Sequence, residues 1–307
     1  MKTNYLIVGT GGVGGSIAGF LALAGHHVTC IARGEHLKQI REKGLHLKSD
    51  IKGDHYLKVD AYTTEEYNGK ADVIFVCVKG YSIDFISEVL VKAAKPDTLV
   101  IPLLNVYGTG PRIQRLVPNI TVLDGCIYIV GFVSAPGEIT QMGHVLRVVF
   151  GARPHQNIDN ERLQDIGQCL KAASIDTIVS DDINRDTFIK WSFISAMACT
   201  GAYFDCTMAA IQRAGKERDM FTGLISESKL IGEKMGIPLS NNIISKGLEI
   251  IDRLDPQSTA SLQKDIAKGH ESEIQGQLFD MIDLGRQVGA TIPTYDIVEQ
   301  KFLSFRK

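Results

Sequence analysis

Gly9-Thr10-Gly11-Gly12-Val13-Gly14 has the spacing G-x-G-x-x-G, directly after the apolar run Tyr5–Val8. A helical pattern rich in small residues follows it. Glycine at these three places suits one chemistry. Gly9 allows a tight turn, Gly11 lets the main chain approach a pyrophosphate, and Gly14 permits a helix to pack closely on a strand. The start of the helix then offers free N–H groups and a partial positive charge to phosphate oxygens. The loop, with Thr10, Gly12 and Val13 as its other members, is expected to hold a dinucleotide. Which dinucleotide is decided at the end of the second strand, where an acidic residue would hold the ribose hydroxyls. That strand ends Ile31-Ala32-Arg33, and the nearest acid, Glu35, comes later. An arginine there pairs with a 2′-phosphate or stacks on adenine, so NADP(H) is the expected cofactor. His36 and Lys38 lie nearby as further sources of positive charge.

The elements that would carry this loop alternate. Tyr5–Val8, His27–Ile31, Ala71–Val78 and Leu99–Leu104 read as strands, the third β-branched and nearly unbroken. Helical patterns cover 13–24, 38–43 and 82–94, and a small hairpin is expected from Leu45–Lys48 and Tyr56–Val59. Strands alternating with helices mean βαβ units and a parallel sheet. Segments 121–134 and 144–150 are strand-rich without helices between them and are expected to extend that sheet with antiparallel edges. Helical spacing returns at Leu163, Ile166 and Leu170, and Ile175–Val179 is a last strand. Beyond it the pattern is helical throughout, as in Phe221, Leu224, Ile225, Ile231 and Met235. Ser180-Asp181-Asp182 supplies an N-cap at the change. The expected architecture is α/β: an N-terminal Rossmann-type, mostly parallel sheet over 1–180, followed by an all-helical domain over 181–307. The uncharged stretch Trp191–Phe204 would be the buried centre of the second domain.

The 307 residues are 44% hydrophobic and 22% charged, with a net charge of −2, as in an ordinary two-domain globular enzyme. Such a balance gives no electrostatic footprint for nucleic acid and no basic membrane-binding surface. The stretch Trp191–Phe204 is shorter than the roughly 20 residues that span a bilayer. Met1-Lys2-Thr3-Asn4 leads straight into a strand with no signal-peptide pattern, so a cytoplasmic protein is expected. The six cysteines form no C-x-x-C, which argues for buried free thiols rather than a metal centre.

Across nearly its whole length the sequence resembles the ketopantoate reductase (2-dehydropantoate 2-reductase) family. The resemblance rests on the Gly9–Gly14 loop, Arg33, Val78-Lys79, the turn Leu104-Asn105-Val106-Tyr107-Gly108, Phe188-Ile189-Lys190, and the block from Ser261 through Asp265 and Gly269 to Glu273-Ile274. Gly289–Thr294 is similar to the family's closing turn. The resemblance implies NADPH-dependent reduction of a 2-oxo acid, by default ketopantoate to pantoate, and a place in pantothenate biosynthesis. It implies Lys190 as proton donor to the forming alkoxide and Glu273 as its partner. It implies Ser261 at the substrate carboxylate, Lys79 at cofactor or substrate, and Asn105 at the nicotinamide ribose and the ketone. The helical domain would hold the substrate and any homodimer contact.

The sequence also departs from the family. Its asparagines four and eight residues after the lysine are here Ile194 and Ala198. Ser195, beside the first, and Ser258, in place of another family asparagine, are the remaining candidates for substrate contact. Asn105 is followed by Val106 rather than glycine, and Gln275-Gly276-Gln277-Leu278 follows Ile274. An apolar pocket rejects analogues less strongly than one built to bond a hydroxyl. Ile194 thus points to a less polar 2-oxo acid as an alternative, and loss of the asparagines opens a second one, a catalytically silent NADP(H) sensor. A dehydrogenase using a catalytic histidine is a third, but neither His144 nor His270 sits in such a motif.

Overall fold

A computed structural model describes residues 3–306; Met1 and Lys2 lie outside the described residues. The chain forms two compact units. The first holds the residues up to Leu104 together with Gly108–Ile183, and the second holds Asn105–Tyr107 together with the residues from Asn184 onward.

In the first unit the elements are β1 (Asn4–Val8), α1 (Gly12–Leu23), β2 (His27–Ile31), α2 (Gly34–Lys43), β3 (Leu45–Ser49), β4 (Gly53–Leu57), β5 (Asp60–Tyr62) and β6 (Val73–Val76). They continue with α3 (Ser87–Ala93), β7 (Leu99–Pro102), α4 (Thr109–Leu116), β8 (Thr121–Val122), β9 (Asp124–Ala135), β10 (Glu138–Gly151), α5 (Asn160–Ala172) and β11 (Asp176–Val179). A six-stranded sheet runs β5-β2-β1-β6-β7-β8, with every pair parallel. All of β6 is buried, as expected of a parallel strand covered on both faces. The strand order turns at β1, and ligands bind outside the carboxyl ends of strands at such a point. The glycine loop is there.

Two expectations need correction. Segments 121–134 and 144–150 do not extend this sheet, beyond the two residues of β8. β9 and β10 form an antiparallel hairpin in a separate five-stranded sheet, where β10 also runs parallel to β3 and β11, and β3 pairs antiparallel with β4. The reason lies in α1, which is buried from Gly14 to Leu21 and so needs a second cover opposite the parallel sheet. Its glycines admit that cover. A Cβ at Gly12, Gly15 or Gly19 would fall 2.1 Å from the Gly131 carbonyl oxygen, 2.5 Å from Ile139 or 2.8 Å from Leu47. The second correction concerns 82–94, which is a 3-10 turn over Gly80–Phe85 followed by the short α3, not one helix.

The second unit is helical: α6 (Ile183–Phe204), α7 (Met208–Ile211), α8 (Lys216–Lys234), α9 (Ile243–Arg253), α10 (Ser261–Ala267), α11 (Asp280–Gln287) and α12 (Pro293–Phe302). Helix α6 begins at Ile183, ahead of the uncharged stretch, so Lys190 lies well inside it. Phe188, Trp191, Ala198 and Cys199 of α6 pack in one core with Phe221, Leu224, Leu278 and Met281. The buried Glu227 carboxylate of α8 accepts the N–H groups of Thr294 (2.7 Å) and Tyr295 (3.0 Å), satisfying donors that α12 leaves open at its start. Gln275–Phe279 forms a π-turn ahead of α11, a local widening common at functional sites.

Candidate functional site

In the first unit the glycine loop has the form its spacing demands. Gly9 has φ +97°, and a Cβ there would lie 2.9 Å from the Val78 nitrogen. A Cβ at Gly14 would lie 2.1 Å from the Gly9 carbonyl oxygen, so helix and turn touch. At Gly11 nothing lies within 4 Å of where a Cβ would be, which leaves the main chain open. Val13 is half-buried against the core. The loop is tied to β2 through one acceptor: the Ile31 carbonyl receives Gly9 N (3.2 Å), Thr10 N (3.1 Å) and the Thr10 hydroxyl (2.9 Å). Arg33, just beyond, stands in extended conformation ahead of α2. It is exposed, and its guanidinium has no partner among the described residues. A turn with open N–H groups, a helix start and an unpaired arginine fit the pyrophosphate and 2′-phosphate of NADP(H). Lys79 follows the carboxyl end of β6, half-buried, immediately before the 3-10 turn.

His36 is not the added positive charge that the sequence suggested. Its Nε2 donates to the Thr10 carbonyl at 2.8 Å, and its Nδ1 accepts from Gly137 N at 2.9 Å. That pattern requires the neutral ring, and burial lowers its pKa from 6.5. His36 is thus a neutral strut between the glycine loop and the β9–β10 turn. A folded pKa below the unfolded value gives stability that is fully present above about pH 6.5 and is lost as pH falls below it. Thermal midpoints measured from pH 8 to pH 5 should therefore fall less steeply in His36→Gln than in the unmutated chain. Equal slopes would contradict this role.

In the second unit Asn105–Tyr107 acts as a strap. The Tyr107 ring stacks on Trp191 (centroids 5.3 Å, 14°) and meets Phe188 edge-on (5.4 Å, 88°), while its hydroxyl bonds the Asn184 side-chain oxygen. Trp191 Nε1 donates to the Gly276 carbonyl at 2.8 Å. Trp191 therefore joins the strap, α6 and the turn after Glu273. Asn105 is half-buried in the strap, and Lys190 precedes Trp191 at 8% exposure. Glu273 is 6% exposed at the start of the helical run that contains the π-turn, where the macrodipole suits a carboxylate. Each of the three residues that the resemblance singled out for the ketone thus lies within three residues of these contacts, Asn105 of Tyr107, Lys190 of Trp191 and Glu273 of Gly276. At spacings of four from Lys190, Ile194 and Ala198 share its face of α6.

The three serines are placed differently. Ser195 is fully buried, donates to the Gln277 carbonyl at 2.5 Å and contacts the Tyr295 hydroxyl at 2.8 Å, which in turn meets Ser228. Its hydroxyl is committed to the interior, so the structure gives it a packing role and not the expected substrate contact. The Ser258 hydroxyl donates to the Asp255 carbonyl at 2.6 Å in a turn, which leaves it only as an acceptor. Ser261 is exposed at the start of α10, with no partner among the described residues. Sequence reasoning missed Trp191, Val106 and Gly276 as a unit; a glycine inside a helical pattern just after Glu273 was the available signal. Among the described residues no group of three or more His, Cys, Asp or Glu is placed to hold a metal ion, and no helix is long and apolar enough to cross a membrane.

The family described as "Ketopantoate reductase PanE/ApbA" matches residues 5–155, and "Ketopantoate reductase PanE/ApbA C terminal" matches residues 182–302. The chain is 24% identical to "Uncharacterized oxidoreductase YkpB" of Bacillus subtilis, covering 96% of each chain. It is 27% identical to a 2-dehydropantoate 2-reductase of Mesorhizobium japonicum, covering 95% of this chain and 94% of that one. A structure of D-mandelate dehydrogenase with NADH and anilino(oxo)acetate shares the fold at TM-score 0.88 and 20% identity, over 97% of this chain and 96% of the other.

Proposed function

Because the chain belongs to the ketopantoate reductase family, we propose that it reduces the C2 ketone of a small 2-oxo acid with NADPH, by default 2-dehydropantoate to pantoate. It is an oxidoreductase acting on CH–OH groups. The observation that carries the reading is the position of Trp191, next to the 8%-exposed Lys190: it stacks on Tyr107 of the Asn105–Tyr107 strap and donates to the Gly276 carbonyl, three residues after the 6%-exposed Glu273. The open glycine loop and unpaired Arg33 support a nicotinamide dinucleotide, and the arginine favours NADPH over NADH. The mandelate dehydrogenase is described with NADH, but that concerns that protein.

A dinucleotide held by the Gly9–Gly14 loop and Arg33 would supply a hydride to the carbonyl carbon. As negative charge builds on the ketone oxygen, the Lys190 ammonium stabilises it and delivers a proton to it. Glu273 holds the ammonium in place and accepts from a substrate hydroxyl. The Asn105 amide orients the ketone, and the exposed Ser261 hydroxyl donates to the substrate carboxylate. At 8% and 6% exposure, Lys190 and Glu273 act largely out of water, where their electrostatic effect is stronger than in solvent. Six cysteines without a disulfide suit a cytoplasmic enzyme. The helical unit would carry any homodimer contact.

A second reading, a less polar 2-oxo acid, is favoured by Ile194 and Ala198 on the Lys190 face of α6. With no polar group at those two positions, the hydroxyl of ketopantoate should add little. The ratio of kcat/KM for ketopantoate over its deoxy analogue should stay within the roughly 10–200-fold range of one apolar contact. A preference of about 10⁴ would show that other polar groups read the hydroxyl and would restore ketopantoate as the sole candidate. NADPH oxidation with a panel of 2-oxo acids tests the proposal as a whole: turnover of at least one supports it, and turnover of none overturns it.

A further inference from the structure

Resting on the reductase reading, we propose that Val106 and Gly276 form a lock that positions Asn105 beside Glu273, which makes both of them positioning residues of the reaction. A Cβ built at Gly276 would fall 2.6 Å and 2.8 Å from the two Val106 methyl carbons and 3.3 Å from its Cβ. All three nearest atoms thus belong to Val106: the isopropyl group is seated where a side chain at 276 would be. Gly276 is not among the glycines of positive φ, so its backbone does not call for glycine. The close approach of Val106 does.

Both sides of this contact are pinned. The Gly276 carbonyl receives Trp191 Nε1 at 2.8 Å, and the Gln277 carbonyl receives the Ser195 hydroxyl at 2.5 Å, which fixes the turn to α6. On the strap, Tyr107 is held by its stack on Trp191 and its bond to Asn184. The Asn105 side chain makes no hydrogen bond of its own among the described residues. Its position therefore follows from its neighbour Val106, and Gly276 lies one helical turn from Glu273. The valine after the asparagine departs from the family pattern, and Gly276 gives it the room that it occupies. A misplacement of about 1 Å in a reacting geometry reduces rates about 10²-fold, so the lock acts on kcat.

The test uses the full-length enzyme and the best 2-oxo acid from the panel. It reads kcat, KM, the Kd for NADPH and the emission of Trp191, the one tryptophan in the chain. Gly276→Ala should lower kcat at least about tenfold and change Trp191 emission, with NADPH affinity within about twofold. Adding Val106→Ala should return most of the lost kcat and the original emission, because the alanine makes room for the new methyl group. A Gly276→Ala variant at full rate overturns the lock, as does a loss that Val106→Ala deepens. If Gly276→Ala does not fold, Val106→Ala alone decides: a several-fold fall in kcat at unchanged NADPH affinity supports the lock, and an unchanged kcat overturns it. If the unmutated chain turns over no 2-oxo acid, the reductase reading fails, and the lock's role fails with it.

Discussion

Lys190→Ala is expected to lower kcat at least about 10²-fold while NADPH affinity stays within about twofold. General acid catalysis contributes about 10²–10⁴-fold, and charge stabilisation of the alkoxide acts in the same direction. The lysine belongs to the second unit, whereas the proposed phosphate contacts lie in the first, so the cofactor should not sense its loss. At 8% exposure Lys190 is not a solvated surface lysine, and a matched thermal melt separates lost chemistry from lost fold. Lys190→Arg should not restore the rate, because a guanidinium stays protonated and cannot deliver its proton to the alkoxide. Single-turnover NADPH oxidation is the measurement. A rate within threefold of the unmutated enzyme would remove Lys190 from the chemistry.

The second large effect belongs to Arg33. Its guanidinium is exposed and unpaired among the described residues, so Arg33→Ala breaks no internal contact and should leave stability unchanged. Losing a hydrogen bond to a charged group costs about 1.5–3 kcal/mol, which weakens NADPH roughly 10–150-fold. NADH has no 2′-phosphate, so its affinity should barely move. Because the site is exposed, the NADPH preference should shrink as salt is raised. Equal affinity of the unmutated chain for both cofactors, measured by titration, would overturn the NADPH assignment.

What was legible in the sequence was local or bound to a fixed spacing. The Gly9–Gly14 turn, the strands on either side of it and Arg33 at the end of β2 follow from adjacent residues, and the structure repeats them. The second sheet was not legible. The sequence marks 121–134 and 144–150 as strand-rich, but does not show that β10 pairs with β3, whose residues lie far away in the chain. Only the need of a glycine-rich helix, apolar on every side, for a second cover points there. Ser195 misled for a related reason. Helix α6 lacks charge from Trp191 to its end, so its pattern does not say which small polar residue faces outward. The Asn105–Tyr107 strap was hidden because the chain leaves the first unit for three residues and returns at Gly108, where φ is +71°. The lysine and glutamate could be named by resemblance. The contacts of Trp191 with the strap and with Gly276 required the fold.

The central claim is that this chain moves a hydride from a nicotinamide to the C2 carbon of a 2-oxo acid. Deuterium at the transferable C4 position of NADPH follows that hydride directly. After incubation with the best 2-oxo acid, a 2-hydroxy acid carrying one deuterium at C2 is expected, with NADP⁺ formed in equal amount and both formed at least about 10²-fold more slowly in Lys190→Ala. Tight NADPH binding with no deuterium in any 2-hydroxy acid would contradict it and would leave a cofactor-binding sensor in its place.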